Sequence, residues 1–360
     1  MNRTKINAIV IADSLNPYGD RITTMVVTMP RIILAEFNTH RMFSRNSASN
    51  REIPFGKMLE NIKYNPFIPI AWQKEHKGTQ GTEYITDINE IEELNFHWNN
   101  AVKSAIHQAK NLNALGITKQ LANRLLEPFM WHTVLITASE WENFFNLRCP
   151  KYLYDYEDEP IYFRSKKDWV QYYNDSQGYT KNQKQFCIVE NLSTLEWLEW
   201  DAGQAEIHMM ALAECIYDAV NESTPKQLKA GEWHIPFYED MEVPGIQKLL
   251  PNNQISIAEY SKYQEVCVKI ATAMCARVSY TVVGEGGKES NYENDIKLHN
   301  RLLESGHWSS FEHCAKVPTE DEYISNYKGD INISNSFKNQ GWFNNFHGFI
   351  PYRKLIENEK

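Results

Sequence analysis

The chain's densest polar run is Thr39-His40-Arg41-Met42-Phe43-Ser44-Arg45-Asn46-Ser47-Ala48-Ser49-Asn50-Arg51. Serine and asparagine side chains compete for backbone groups and sit poorly in a helix interior, which predicts a turn presenting several N–H donors after Arg45. Such a turn is an anion nest, and Arg41 and Arg51 beside it could each make two parallel hydrogen bonds to a phosphate, a geometry lysine lacks. Read alone, the same run is equally a capped, solvated surface loop.

Two further runs have chemical content. Ser305-Gly306-His307-Trp308-Ser309-Ser310-Phe311-Glu312-His313 gathers two imidazoles, a carboxylate and hydroxyls behind a glycine that reads as a helix stop. It could orient a polar heterocycle or bind a metal; the alternative is a helix end followed by the capping box of the next element. Gly116-Ile117-Thr118-Lys119-Gln120-Leu121-Ala122-Asn123-Arg124-Leu125-Leu126-Glu127-Pro128, then Thr137 and Asn143-Phe144-Phe145-Asn146-Leu147-Arg148, places Arg124 and Arg148 in apolar helical windows. Each reads as a snorkelling surface arginine or as a fixed cation. Cys149 follows Arg148 and invites a thiol nucleophile. Its order is Cys-Pro rather than Pro-Cys and no matching context surrounds it, so it reads as unreactive. No Rossmann GxGxxG occurs, and Gly284-Glu285-Gly286-Gly287 reads as a loop.

Ordinary elements must position these runs. Lys5 to Asp13, rich in Ile and Val, predicts a strand; Asn16-Pro17-Tyr18-Gly19 predicts a turn, and Ile22 to Met29 a second strand ended by Pro30. From Ile32, the residues Ile33, Leu34 and Phe37 fall at helical spacing. Helical patterns follow over Glu90 to Asn111, Lys119 to Pro128, Glu140 to Arg148, Gln204 to Val220, Glu265 to Ala276 and Asn294 to Leu303. Between Pro150 and Trp200 the texture turns to aromatics and charges, among them Tyr152, Tyr154, Tyr162, Trp169 and Tyr173, and reads as an inserted subdomain. With no internal repeat or low-complexity tract, the pattern implies an α+β fold in which helices dominate.

The chain has 360 residues, 42% hydrophobic and 23% charged, enough for one large core or two smaller ones. No apolar run reaches the about 18 residues of a membrane helix. Met1 to Ile11 lacks the order of a signal peptide, so a soluble, cytoplasmic protein is expected. Six cysteines without CxxC or paired His spacing argue against disulfides and structural metal. A net charge of -9 disfavours duplex nucleic acid but suits a small phosphorylated ligand held by a few arginines.

Together these runs resemble the flavin-dependent thymidylate synthase family, whose signature is Arg-His-Arg followed by a serine-rich turn closing in Ser-x-Arg. Thr39-His40-Arg41 stands for the triplet and Ser49-Asn50-Arg51 for the closure. Ala276-Arg277-Val278-Ser279 and Gly306-His307 through Glu312-His313 are similar to the family's early segments. Arg124, Thr137, Asn143 and Arg148, with Gln204-Ala205-Glu206-Ile207, are similar to its final third, split by the run from Pro150 to Trp200. The family's order is thus circularly rotated, which requires that the old termini lie close together.

The resemblance implies a permuted flavin-dependent thymidylate synthase-like fold, an antiparallel sheet with helices. Residues 1–149 and 201–360 would form the catalytic domain, and 150–200 an inserted aromatic-rich subdomain serving as a lid or an intersubunit contact. It implies conversion of dUMP to dTMP with FAD as hydride carrier, methylenetetrahydrofolate as carbon donor and NADPH as reductant. It also implies a homotetramer with shared sites, while the charge balance and the lack of a long apolar run lead to the expectation of no nucleic-acid or membrane partner. A uracil ring is a weak nucleophile at C5 and needs its developing negative charge stabilised by a fixed cation. That role falls by resemblance to Arg148, with Ser49 also catalytic. The nucleotide would be held by Glu36, Ser47, Ala48, Ser49, Asn50, Arg51, Arg124 and Arg148, and the flavin by His40, Arg41, Asn46, Thr137, Asn143, Ser279, His307, Ser309 and Glu312.

The match departs at three places. Thr39 replaces the triplet's first arginine, Ser47 stands where the family usually has Glu, and Glu52 where it usually has Tyr. These departures keep open hydroxymethylation or methylation of dUMP or dCMP by the same flavin chemistry, or a nucleotide-binding flavoprotein without catalysis. The run from Trp342 to Lys354 has no counterpart; it is expected either to pack as an aromatic tail or to close over the ligand with Arg353 facing phosphate.

Overall fold

In chain order, the elements of the computed structural model are β1 (Asn7–Leu15), β2 (Arg21–Pro30), a 3-10 turn (Arg31–Ile33), α1 (Leu34–Phe37), β3 (Ser44–Ser47), α2 (Phe55–Tyr64), α3 (Ile88–Ala114) and α4 (Lys119–Ala122). There follow β4 (Trp131–Ala138), α5 (Glu142–Arg148), β5 (Tyr152–Tyr154), β6 (Ile161–Phe163), α6 (Lys166–Ser176), α7 (Thr194–Glu199), α8 (Ile207–Glu222), β7 (Lys226–Gln227) and β8 (Trp233–His234). Last come α9 (Val243–Gln247), α10 (Tyr260–Arg277), α11 (Tyr292–Glu304), β9 (Ala315–Lys316), β10 (Trp342–Phe343), β11 (Phe346–His347) and β12 (Ile350–Pro351). The structure describes residues 5–49, 51–77, 83–154, 160–178, 192–250, 260–280, 291–323 and 341–356.

β1 and β2 form the hairpin that the Asn-Pro-Tyr-Gly signal predicts. Asn16 Oδ1 accepts from the N–H groups of Tyr18 and Asp20, both at 2.9 Å, and Gly19 takes φ +93°, which only glycine adopts without strain. The main sheet runs β3-β4-β2-β1-β7 and is antiparallel except for the short β1–β7 pair. The fold is therefore mixed α+β with antiparallel-dominated sheets. Its register sets Thr24 of β2 opposite Thr137 of β4, and Ser44 of β3 opposite Thr137 on the other side.

Both sheet faces are covered, so β2 is buried along nearly its whole length and carries no solvent-facing polar alternation. On one face Met25, Val27, Val134 and Ile136 pack against Phe37, Phe144 and the α8 residues Met209, Leu212 and Ile216. On the other, Leu135 meets Cys275 and Val278 at the end of α10. α11 stops as the sequence predicts: Gly306 (φ +69°) donates to Leu303 O and His307 N to Leu302 O, the paired bonds of a Schellman cap.

Two local expectations fail for physical reasons. The helix expected over Lys119 to Pro128 ends at Ala122 and tightens into a 3-10 segment, Asn123–Phe129. Pro128 has no N–H to give, and Asn123 turns its amide to Ile53 O at 3.2 Å. The turn expected after Arg45 is an edge strand, because β4 offers Ser44–Ser47 a ladder that outweighs their poor strand propensity.

Residues between Pro150 and Trp200 hold their own aromatic cluster around Tyr152, Trp169 and Trp197. The C-terminal run packs rather than gapes: Phe346 and Phe349 are fully buried against Ile22 and Val317. Arg353 spends its charge on Glu312. Among the described residues no helix is long and apolar enough to cross a membrane, and no His, Cys, Asp and Glu group could hold a metal ion.

Candidate functional site

β3 sorts its side chains to two faces, as any strand does. On one face Asn46 is a hub. Its Nδ2 donates to Cys275 O at 2.5 Å, and its Oδ1 accepts from the hydroxyls of Ser279 at 3.2 Å and Ser309 at 3.4 Å. Three residues assigned by resemblance to the flavin, from three distant parts of the chain, thus share one hydrogen-bonded cluster. The loop after β3 is pinned to the same place by Ser49 N donating to Ser279 O at 3.0 Å.

Arg45, the neighbouring residue, lies with the opposite group. Its Nη1 donates to His40 O at 3.2 Å, fixing the loop between α1 and β3. There Arg148, at the end of α5, donates from Nε to His40 Nε2 at 3.0 Å and from Nη1 to the carboxylate of Glu36. A guanidinium only donates, so His40 accepts at Nε2 and carries its proton on Nδ1. Burial first, then the nearby charges of Arg148 and Arg45, push His40 down to about 4, so the imidazole is neutral at physiological pH. His40 also stands edge-on to Phe144 at 4.8 Å, which fixes its plane. Among the described residues Arg148 Nη2 has no hydrogen-bond partner. Arg148 lines a cavity of about 320 Å3 with Asn146, Lys151, Gln204 and Ala205. Thr39, which replaces the expected arginine, donates its hydroxyl to Glu36 O at 2.7 Å and so closes α1.

A third group lies by α1 and the 3-10 segment. Arg31 and Arg124 approach the Glu127 carboxylate at 3.8 and 3.7 Å beside a cavity of about 420 Å3 lined by Arg31, Leu34, Asn38 and Glu127. Arg124 remains largely exposed and pairs with Glu127 rather than snorkelling alone. Sequence reasoning missed Arg31, although an arginine directly after the proline that ends a strand is a visible signal.

Several expectations need correction. The anion nest is not open: Ala48 N is taken by Thr133 O, Ser49 N by Ser279 O, Glu52 N by Ser49 O and Arg51 N by the Ser49 hydroxyl. Ser47 lies in β3 opposite Val134, and Asn50 falls outside the described residues. Thr137 cannot touch a ligand as it stands, being fully buried with its hydroxyl bonded to Thr24 at 2.7 Å and His313 at 2.8 Å. Arg41, Arg51, Asn143 and His307 are exposed, and among the described residues no hydrogen bond or ion pair joins any of them to Glu36, His40 or Arg148. His307 Nδ1 is bonded to the Ser305 hydroxyl at 2.8 Å. Glu312 pairs with Arg353. Cys149 is buried, and burial raises its thiol far above the ordinary range, which keeps it unreactive.

No family model matches the chain, and no curated protein matches it. Among solved structures, the UMP/dUMP methylase PolB from Streptomyces cacaoi, bound with 5-Br dUMP, aligns at 14% identity over 41% of this chain and 80% of that one, with a TM-score of 0.34. The same enzyme bound with 5-Br UMP aligns at 16% identity over 41% and 78%, also with a TM-score of 0.34. A likeness of that depth carries no functional assignment, so the reading of the site stands on its own side chains.

Proposed function

We propose that the chain is a flavin-dependent enzyme that transfers a one-carbon unit from methylenetetrahydrofolate to C5 of dUMP, giving dTMP. The observation that carries this reading is Arg148 held between the Glu36 carboxylate and the neutral imidazole of His40 at the mouth of a cavity. A cation oriented before the base arrives needs no reorganisation when negative charge builds on the ring oxygen. Glu36 and His40 set the guanidinium plane, leaving Nη2 to meet that oxygen. Arg124 and Arg51 supply charge for the nucleotide phosphate, and holding the nucleotide there orients C5.

The residues suit a flavin once the set is revised. Arg41, Asn143, His307 and Ser309 keep exposed polar groups that would hold it, while Asn46, Thr137 and Ser279 act from behind, fixing the backbone that presents them. In the same segment Ser310 Oγ and His313 Nε2 are buried without a partner among the described residues, which suits a site that gains contacts on loading. When bound, FAD supplies the hydride chemistry. Because β3 separates the Asn46 cluster from the Arg148 cluster, we propose that the nucleotide half and the flavin half meet across a homo-oligomer, a tetramer by resemblance. The run from 150 to 200 would be an insertion at its rim.

The test is direct. Purified protein should be yellow and should convert dUMP to a product heavier by one CH2, the methyl group replacing the C5 hydrogen, when given methylenetetrahydrofolate and NADPH. A hydroxymethyl mass, or turnover of dCMP instead, would move the assignment to the related chemistry. Colourless protein that does not change dUMP would sink the reading.

A further inference from the structure

Five buried side chains form one unbroken hydrogen-bonded line through the sheet. Ser14 Oγ lies 2.9 Å from His234 Nδ1, and His234 Nε2 lies 2.7 Å from Thr24 Oγ1. Thr24 Oγ1 lies 2.7 Å from Thr137 Oγ1, which lies 2.8 Å from His313 Nδ1. Every member is 4% exposed or less. The register that sets Thr24 opposite Thr137 makes the central link, and the β8–β9 pair, with His234 opposite Ala315, brings the two histidines to the sheet. The far nitrogen, His313 Nε2, has no partner among the described residues, nor has the buried hydroxyl of Ser310 in the same segment.

The donor and acceptor inventory leaves this line two states. A neutral imidazole carries one N–H, and each hydroxyl donates once. If His313 holds its proton on Nδ1, it donates to Thr137, Thr137 to Thr24, Thr24 to His234 Nε2, and His234 Nδ1–H to Ser14. If Ser14 donates to His234 Nδ1, every bond reverses and His313 must carry its proton on Nε2. Both rings therefore share a tautomer. A mixed pair would strand a buried hydroxyl proton or leave a pair of facing acceptors. The first state leaves an orphan acceptor at His313 Nε2 and turns the Ser14 hydroxyl proton out of the line; the second satisfies Ser14 within the line and leaves an orphan N–H at His313 Nε2.

We propose that this line is a one-proton relay between the segment holding His307 to His313 and the Ser14 end of β1. A proton reaching His313 Nε2 forms an N–H bond there as the Nδ1–H bond breaks toward Thr137. Thr137 passes its own proton to Thr24, Thr24 to His234 Nε2, His234 Nδ1 to Ser14, and Ser14 to water. One proton enters, one leaves, no ring is charged at the end, and the line is left in its second state. Charged rings are disfavoured throughout, since burial holds His234 near about 4 and His313 near about 3.

The test is the imidazole nitrogen spectrum of the full-length protein labelled with 15N-histidine. In the parent protein both rings should show the same tautomer pattern. Ser14→Ala removes the hydroxyl at one end, so the two states become comparable, and the tautomer ratio at His313, four hydrogen bonds away, should shift to about equal shares. In a Thr137→Val background, which cuts the line in its middle, Ser14→Ala should leave His313 unchanged. Opposite tautomers on the two rings of the parent protein, or a His313 signal indifferent to Ser14→Ala in the uncut protein, would overturn the relay. The parent spectrum decides the shared tautomer even if a variant fails to fold.

Discussion

The line from Ser14 to His313 and the cluster around Arg148 are both polar, yet they are built on opposite terms. The first is buried, neutral and held by hydroxyl and imidazole hydrogen bonds whose sense is interdependent. The second is charged, and its side chains remain partly open, 22% for Arg148 and 30% for Glu36. Buried polar groups that lose a partner cost the fold, whereas half-exposed ion pairs contribute little to stability and keep charge available for a ligand. The contrast teaches where damage should fall: changes in the line should lower stability, and changes at the rim should disarm the protein.

The largest effect should come from the rim. Arg148→Ala should cut turnover by about 100-fold or more, the scale on which lost transition-state electrostatics is felt, while flavin stays bound and thermal stability barely moves. Normal turnover in a steady-state assay would remove Arg148 from the chemistry. The interior should answer with the opposite phenotype. Thr24→Val removes a fully buried hydroxyl that touches both Thr137 and His234, and should destabilise the fold by about 2–3 kcal/mol in denaturant titration. A shift under about 0.5 kcal/mol would mean the line is not a unit.

Acid should blur the distinction between the regions and so measures it. His40, His132, His234 and His313 all have folded values below the ordinary 6.5, at about 4, 3, 4 and 3. Between those values and 6.5 the unfolded chain binds more protons than the folded one. Their contribution is therefore fully present above about 6.5 and is lost as pH falls toward about 4. Stability followed by urea titration across that window should drop on acidification. His40→Gln should flatten the slope by no more than one proton. A pH-independent midpoint from 7 down to 4 would contradict the burial of these rings. The smallest effect is expected at Arg51, exposed and linked to the chain through its backbone: Arg51→Ala should weaken dUMP binding by about tenfold in calorimetry and leave folding untouched.

What could be read in advance followed local chemistry. The hairpin was legible from Asn16 to Gly19, the end of α11 from Gly306, and most helices from apolar spacing. The motif resemblance assigns Asn46, Ser279 and Ser309 together to the flavin, and they share one hydrogen-bonded cluster; His40, assigned there too, instead bonds to Arg148 beside Glu36, two residues the resemblance gives to the nucleotide. What escaped depends on register. Ser44–Ser47 has nothing of a strand in its composition and becomes one because β4 is beside it. Thr24, Ser14 and His234 carry no motif; they matter because antiparallel pairing sets Thr24 against Thr137. The same pairing turns Thr137 inward, so a residue expected at a ligand surface became an interior link.

Asn46 has partners 229, 233 and 263 positions further along the chain. Closing such spans adds only modest entropy, since each doubling of a loop costs about 0.6 kcal/mol. Its price is time, because contacts between remote segments slow the search for the native state. The hairpin can form while its remote partners are still unplaced, but the hydrogen-bonded cluster that Asn46 organises waits until the final third of the polypeptide has docked. The surface built on that cluster is thus among the last features this molecule acquires as it folds, and a nascent chain lacking its closing segments would hold Asn46 without any of these three partners.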